Sequence, residues 1–311
     1  MPEDLSERWI SDLLRRLRAG PVPPRDTAAL QRYATGYIEQ RVGWLDDLGF
    51  ATQLLTELRI PGRSATDFRH QRVAAGGEIG LAGIRFLNGD PDKPFVDLEA
   101  STGRVTSQMC RAAFDAFDMF GPRSVRYHLP GIQPPRLGDG WCPTADQHVV
   151  VGYLSDLVPR DGSVTLKNAD PVEAERWLPQ AYAGFPFRSA SLAARVAMSD
   201  AEQLNDCATT GRLCWWQIEG QRVGLIGISR TLDHGFDGYL MTEQVVDSPF
   251  VGRGSAAVAQ GKLITSLRTE NPDVALFGTI DASNAPSLRT AAANGRVIHG
   301  TKWFLTPSET C

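Results

Sequence analysis

Residues 79–84 read I-G-L-A-G-I, and residues 223–228 read V-G-L-I-G-I, 144 positions later. Each is an alternating strand that runs into a Gly/Asp-rich turn, N-G-D-P-D-K-P in the first case and L-D-H-G-F-D-G in the second. Each turn leads into a second strand, F-V-D-L-E-A-S-T and Y-L-M-T-E-Q-V-V, in which Glu99 and Glu243 stand at the same offset. An isolated hairpin cannot bury its own apolar face, so a hairpin that recurs marks a recurring fold around it. The chain therefore reads as two copies of one unit. The polar turn Pro159-Arg-Asp-Gly162 divides them into residues 1–158 and 159–311.

The second copy carries the stretch with chemistry. From Val245 to Lys262 the sequence is V-V-D-S-P-F-V-G-R-G-S-A-A-V-A-Q-G-K. A β-branched strand end gives way to a Pro-bounded turn, a glycine-bearing loop and an Ala-rich helix. Gly252 and Gly254 permit positive φ and close approach of a ligand. The free N–H groups of the helix's first turn, with the helix dipole, favour an anion such as a phosphate. Arg253 adds a formal charge. After this helix come a strand, Val274–Ile280, and a helix opened by Asn284 and closed by Asn294-Gly295. Short strands around Val297 and Trp303 end the series.

This series resembles the second half of the GNAT superfamily of N-acetyltransferases. The family's loop runs Gln/Arg-x-x-Gly-x-Gly/Ala. Here Val251 takes the first place, and Gly254 and Ala256 fit the others. The family's later Asn, with a small residue three places on and a Gly eleven places on, matches Asn284, Ser287 and Gly295. The resemblance spans about 164–307. It implies an α/β (α+β) fold of two tandem GNAT-like domains, each a mixed, mostly antiparallel twisted sheet flanked by helices. In the first copy, Ser107–Ala112 hold the loop's place without a glycine, or, in a shifted alignment, Ser101-Thr-Gly-Arg104 hold it with one. That copy is expected to keep the scaffold, shape the acceptor side, and lack the nucleotide site.

The chemistry implied is acyl transfer from a thioester to an amine. It requires an anion cradle, a carbonyl polariser and a base. The cradle is the backbone of Val251, Gly252, Arg253, Gly254, Ser255 and Ala256. In the family the preceding strand splays from its neighbour, and its free amides bond the thioester carbonyl and pantetheine arm; that strand here is Thr242–Val246, with Val245 and Val246 at its end. Asn284 caps the last helix and, by resemblance, bonds the pantetheine. Glu243 is the expected base, because burial in a cleft lifts a carboxylate's pKa toward neutrality. His234 and Asp237 on the preceding hairpin are alternatives, whereas Asp247 reads as a turn-former. Two positions depart from the family. Ala291 stands where a Tyr protonates the leaving thiolate, so Tyr239, or Ser287 through water, takes that role or the thiolate leaves unassisted. Arg296 replaces an aromatic; it reaches the donor's phosphates or is solvated.

Composition narrows the function. The chain has 311 residues, is 42% hydrophobic, and carries a net charge of −4, so it can bury a core and offers no basic surface for nucleic acid. Its five cysteines form no C-x-x-C pair, which argues against zinc and a disulfide framework. The polar N-terminus lacks signal-peptide character, and no apolar run approaches the length of a membrane span. A cytoplasmic location is expected, without metal. Leu5, Trp9, Leu13 and Leu17 form one helical face. A second helix is expected over 26–48, its Tyr33, Tyr37 and Trp44 packing a core or lining a ligand cavity. Trp215 and Trp216 point to opposite faces of a strand. Helices over 188–209 correspond to the family's variable acceptor side. The leading function is an N-acyltransferase acting from acetyl-CoA or another acyl-CoA on a small-molecule amine. The alternatives are the same fold served by an acyl carrier protein, and a non-catalytic acyl-CoA sensor.

Overall fold

A computed structural model describes residues 3–138, 140–184, 192 and 195–310. The chain forms two compact units, one of residues 1–147 with 300–311 and one of residues 148–299. The expected helices within 185–191 and at 193–194 lie outside the described residues.

The first unit opens with α1 (Glu3–Arg18), α2 (Thr27–Gly43) and α3 (Leu48–Leu58). The Leu5, Trp9, Leu13 and Leu17 stripe of α1 is buried against Leu30, Ala34 and Ile38 of α2. The helix expected over 26–48 stops at Gly43, and a new helix begins where the Asp47 side chain accepts from the Gly49 N–H. Then come β1 (Gln71–Ala75), β2 (Glu78–Phe86), β3 (Pro94–Ser101), α4 (Ser107–Ala116) and β4 (Val125–Pro130). β1, β2 and β3 are antiparallel, while β4 joins β3 in parallel through Val96↔Val125 and Asp97↔Arg126 only. A parallel join needs a crossover, and α4 supplies it.

The second unit repeats this order. It holds β6 (Thr165–Asn168), α5 (Pro171–Ala183), α6 (Ala201–Thr210), β7 (Arg212–Ile218), β8 (Gln221–Asp233) and β9 (Phe236–Val246). α7 (Ser255–Glu270), β10 (Ala275–Asp281) and α8 (Ala285–Ala292) follow. Strands β6 to β9 are antiparallel and β10 is parallel to β9. Trp216 is buried with the α7 side chains and Trp215 with those of α5 and α6, so the two do face opposite ways and both are core. Apart from β6 at its start and α8 at its end, the second unit thus has the first unit's run of helices, three antiparallel strands, a helix and a parallel strand.

Three expectations need correction. The passage between the units lies inside β5 (Trp141–Tyr153), between Gln147 and His148, rather than near 159. The last strand, β11 (Val297–Pro307), does not complete the second unit. From Gly300 it belongs to the first, paired antiparallel with β4 from Gly300↔Pro130 to Leu305↔Val125. Cys142 is disulfide-bonded, against the expectation, while Cys110, Cys207 and Cys214 are free. The spacing rule looks only for close-set pairs, and Cys142 stands in none. No helix among the described residues is long and apolar enough to cross a membrane.

Candidate functional site

The loop between β9 and α7 has the backbone its glycines predict. Gly252 and Gly254 have φ of 82° and 74°, and a Cβ on either would meet nothing within 4 Å. Gly254 is the N-cap of α7, and no side chain among the described residues caps the helix. Elsewhere α2, α3, α4, α5, α6 and α8 each have an Asp, Thr or Asn side chain on the first-turn amides. At α7 the Ala257 N–H turns back to the Gly254 carbonyl at 3.1 Å, and the amides of Ser255 and Ala256 stay open to an incoming acceptor. Ser255 is buried and its Oγ has no partner among the described residues. Arg253 is exposed, its guanidinium 5.3 Å from the Phe250 ring. These features fit a diphosphate.

β9 and β10 pair only through Gly238↔Ala275, Tyr239↔Leu276 and Leu240↔Phe277. Both strands continue beyond, β9 to Val246 and β10 to Asp281, so they diverge toward their C-terminal ends. On that edge, β9 from Met241 onward has no strand partner among the described residues. Gln244 ties it to the open loop: its Nε2 donates to the Ala256 carbonyl at 2.9 Å, and its Oε1 accepts from Gln260 at 3.1 Å.

A bulge sets which way the strand's side chains point. Along β8, Ile228 pairs with Met241 and Gly227 with Glu243, leaving Thr242 as the extra residue. Tyr239 and Met241 pack on the α7 face. After the bulge Val245 lies with α5 and α6 residues, and Glu243 meets α5. Without the bulge, period-two alternation would send Glu243 to the α7 side.

Glu243 is 4% exposed. It accepts from the Tyr182 hydroxyl at 2.9 Å and from the Ser199 N–H at 3.2 Å. Burial raises its pKa, and these hydrogen bonds offset the rise only in part. No cation pairs with it among the described residues. Sequence reasoning named Glu243 but missed Tyr182 and Ser199 as its holders. One signal was present: Tyr37 and Tyr182 stand 145 positions apart, one more than the 144 between Glu99 and Glu243, and in the first unit Tyr37 donates to Glu99.

The other expected residues separate. His234 sits in the β8–β9 turn with φ of 50°, beside Asp233 at 3.7 Å. That turn is the opposite end of β9 from the open loop, nine residues or roughly 30 Å of strand from Glu243. Asp237 lies at the same end, paired with Arg230 at 2.7 Å. Tyr239 is buried on the other face from Glu243, with Arg230 over its ring at 5.5 Å. His234 and Tyr239 are thus not assembled with Glu243. Asn284 caps α8, its Oδ1 accepting from the Ser287 N–H at 3.3 Å. Arg296 is buried rather than solvated.

The first unit's counterpart differs at each point. The Thr106 side chain occupies the first-turn amide of Met109 at the start of α4. Residues 107–112 belong to helix α4, so the shifted stretch around Gly103, and not they, precedes the helix as the loop does in the second unit. A Cβ on Gly103 would strike the Glu78 carboxylate at 2.4 Å, so a carboxylate lies against that loop. Glu99 is ion-paired to Arg85 at 3.0 Å and Arg41 at 3.8 Å, lies 3.7 Å from His70, and accepts from Tyr37. These partners outweigh burial and hold its pKa well below the usual carboxylate range. Among the described residues no group of three or more His, Cys, Asp or Glu is placed to hold a metal ion.

No protein-family model matches the sequence, and no curated protein matches it. Solved structures resemble it along nearly its whole length. A GCN5-related N-acetyltransferase from Sphaerobacter thermophilus is 16% identical, with 93% of this chain and 94% of that one covered and a TM-score of 0.49. A tandem GNAT protein from the clavulanic acid biosynthesis pathway is 12% identical, with 98% and 95% covered and a TM-score of 0.48. A GNAT-family acetyltransferase from Colwellia psychrerythraea is 10% identical, with 96% and 97% covered and a TM-score of 0.48.

Proposed function

We propose that this chain is an acyl-CoA-dependent N-acyltransferase with one working site, in the second unit, acting on a small-molecule amine. The observation that carries this reading is the splay of β9 from β10 leading into an uncapped helix start. A diphosphate accepts from the first-turn amides of α7 and from Ser255 Oγ. The pantetheine arm lies along the free edge of β9, where an amide polarises the thioester carbonyl. The amine attacks that carbonyl, the C–N bond forms, and Glu243 takes the ammonium's proton. The C–S bond then breaks, and the thiolate leaves without an acid from position 291. Acetyl-CoA is the donor the resemblance implies. The first unit serves as scaffold: Thr106 and Glu78 fill the place where the second unit leaves its donors open.

The test is calorimetry with free CoA, then thiol release from acyl-CoA donors over a panel of amines. One CoA per chain and amine-dependent release support the reading. Binding without release on any amine leaves the sensor; no CoA binding overturns the assignment of the loop. Release only from an acylated carrier protein supports the carrier-dependent alternative. A second reading concerns stoichiometry. A cavity of about 450 Å³ in the first unit is lined by Arg15, Arg16, Arg104 and Arg136. Two CoA per chain would make the first unit a binding site as well.

A further inference from the structure

Arg296 is 3% exposed, yet it forms no ion pair with any described residue. Its Nη2 donates to the Val150 carbonyl at 3.3 Å, and its Nε has no partner among the described residues. The first unit treats its buried arginine differently: Arg16 is equally enclosed and meets Asp12 at 2.9 Å, with two carbonyls for its other nitrogens. Burial lowers the Arg296 pKa, to about 10, and no acidic group among the described residues opposes it. The group therefore stays charged at neutral pH. A buried charge without a partner is costly, and such a site calls for an anion.

The guanidinium lies at a particular point of the sheet. A Cβ on Gly278 would stand 3.4 Å from Arg296 Nη2 and 3.2 Å from Met241 Cβ. Gly278 is the first residue of β10 beyond Phe277↔Leu240, the last pair before the strands part. Arg296 thus sits beside the closed end of the cleft, and the open loop at 251–256 marks the other end. A donor anchored by its diphosphate in that loop runs down β9, which places whatever follows the thioester nearest the closed end.

Resting on the acyltransferase reading above, we propose that the transferred acyl group ends in a carboxylate that pairs with Arg296, making the donor a dicarboxylic acyl thioester. The transfer itself is unchanged, since the terminal carboxylate takes no part in bond making. The pairing sets donor choice and neutralises the buried guanidinium.

Donor affinities measured by calorimetry on the full chain test this. The probes are free CoA, acetyl-CoA, propionyl-CoA, malonyl-CoA and succinyl-CoA. The wild type is expected to bind at least one of the two carboxylate-bearing donors about tenfold or more tighter than propionyl-CoA, the scale of a charge-assisted hydrogen bond. Arg296→Met should bring that ratio near one, and Arg296→Lys should keep part of it. Ligand-free Arg296→Met should melt no lower than wild type, because it removes an unpaired buried charge. Equal affinity for both donor classes in wild type, or an undiminished ratio in Arg296→Met, overturns the proposal while free CoA still binds. A preference that instead follows a carboxylate on the amine acceptor, and disappears in Arg296→Met, also overturns it. If free CoA does not bind at all, the acyltransferase reading falls and takes this inference with it.

Discussion

Two glutamates one repeat apart show how surroundings decide what a carboxylate can do. Glu99 lies among Arg85, Arg41, His70 and Tyr37, so its charged form is held and it cannot accept a proton near neutrality. Glu243 has a hydroxyl and an amide but no cation, so burial prevails and its pKa rises. Glu243→Gln should lower turnover by about 10²–10⁴ with little change in donor KM, the range for a positioned base, checked by steady-state kinetics. Stability separates the pair by sign. A raised folded-state pKa gives a contribution fully present below the unfolded value of 4.5 and lost as pH rises through the folded value. Glu243→Gln should therefore gain melting temperature relative to wild type at pH 8 compared with pH 4. A depressed pKa does the reverse, contributing above the unfolded value and fading as pH falls through the folded one. Glu99→Gln should destabilise by about 3–5 kcal/mol at pH 7, as when one partner of a buried ion pair is removed. Chemical denaturation at both pH values reads out both variants.

The two helix starts, at α4 and α7, are the clearest contrast between elements. Thr106 closes one with its own side chain, and Gly254 leaves the other open. Gly254→Asp should abolish CoA binding by calorimetry while far-ultraviolet circular dichroism stays native. The new carboxylate would fill the amide site and repel a diphosphate, and the left-handed backbone at this position adds strain of about 1–3 kcal/mol. Retained affinity would remove the cradle from this loop. The loop was legible in the sequence because glycine spacing and the strand-to-helix change are local signals. The bulge at Thr242 was not, since an inserted residue leaves the hydrophobic pattern readable in either phase. Tyr182 and Ser199 escaped for the same reason that His234 misled. Closeness along β9 put His234 forward, while the residues that hold Glu243 come from 61 and 44 positions away.

At the scale of the whole molecule, the duplication was legible from one recurring hairpin, but the ownership of the last strand was not. Pairing partners of β11 are set by a contact 170 residues away in sequence, between Gly300 and Pro130, and nothing local encodes it. A fragment of residues 159–311 would carry β11 without β4, and would lack the part of β5 that belongs to the second unit. It should be insoluble or molten by near-ultraviolet circular dichroism. A soluble, active fragment would show that the second unit can complete itself in another way. The strand exchange also bears on biosynthesis. At about 5–20 residues per second, β4 leaves the ribosome roughly ten to thirty seconds before its neighbour β11 is made. The amino-terminal unit must wait through that interval with one strand edge bare, so nascent chains stalled before residue 300 are the species on which chaperones should be found.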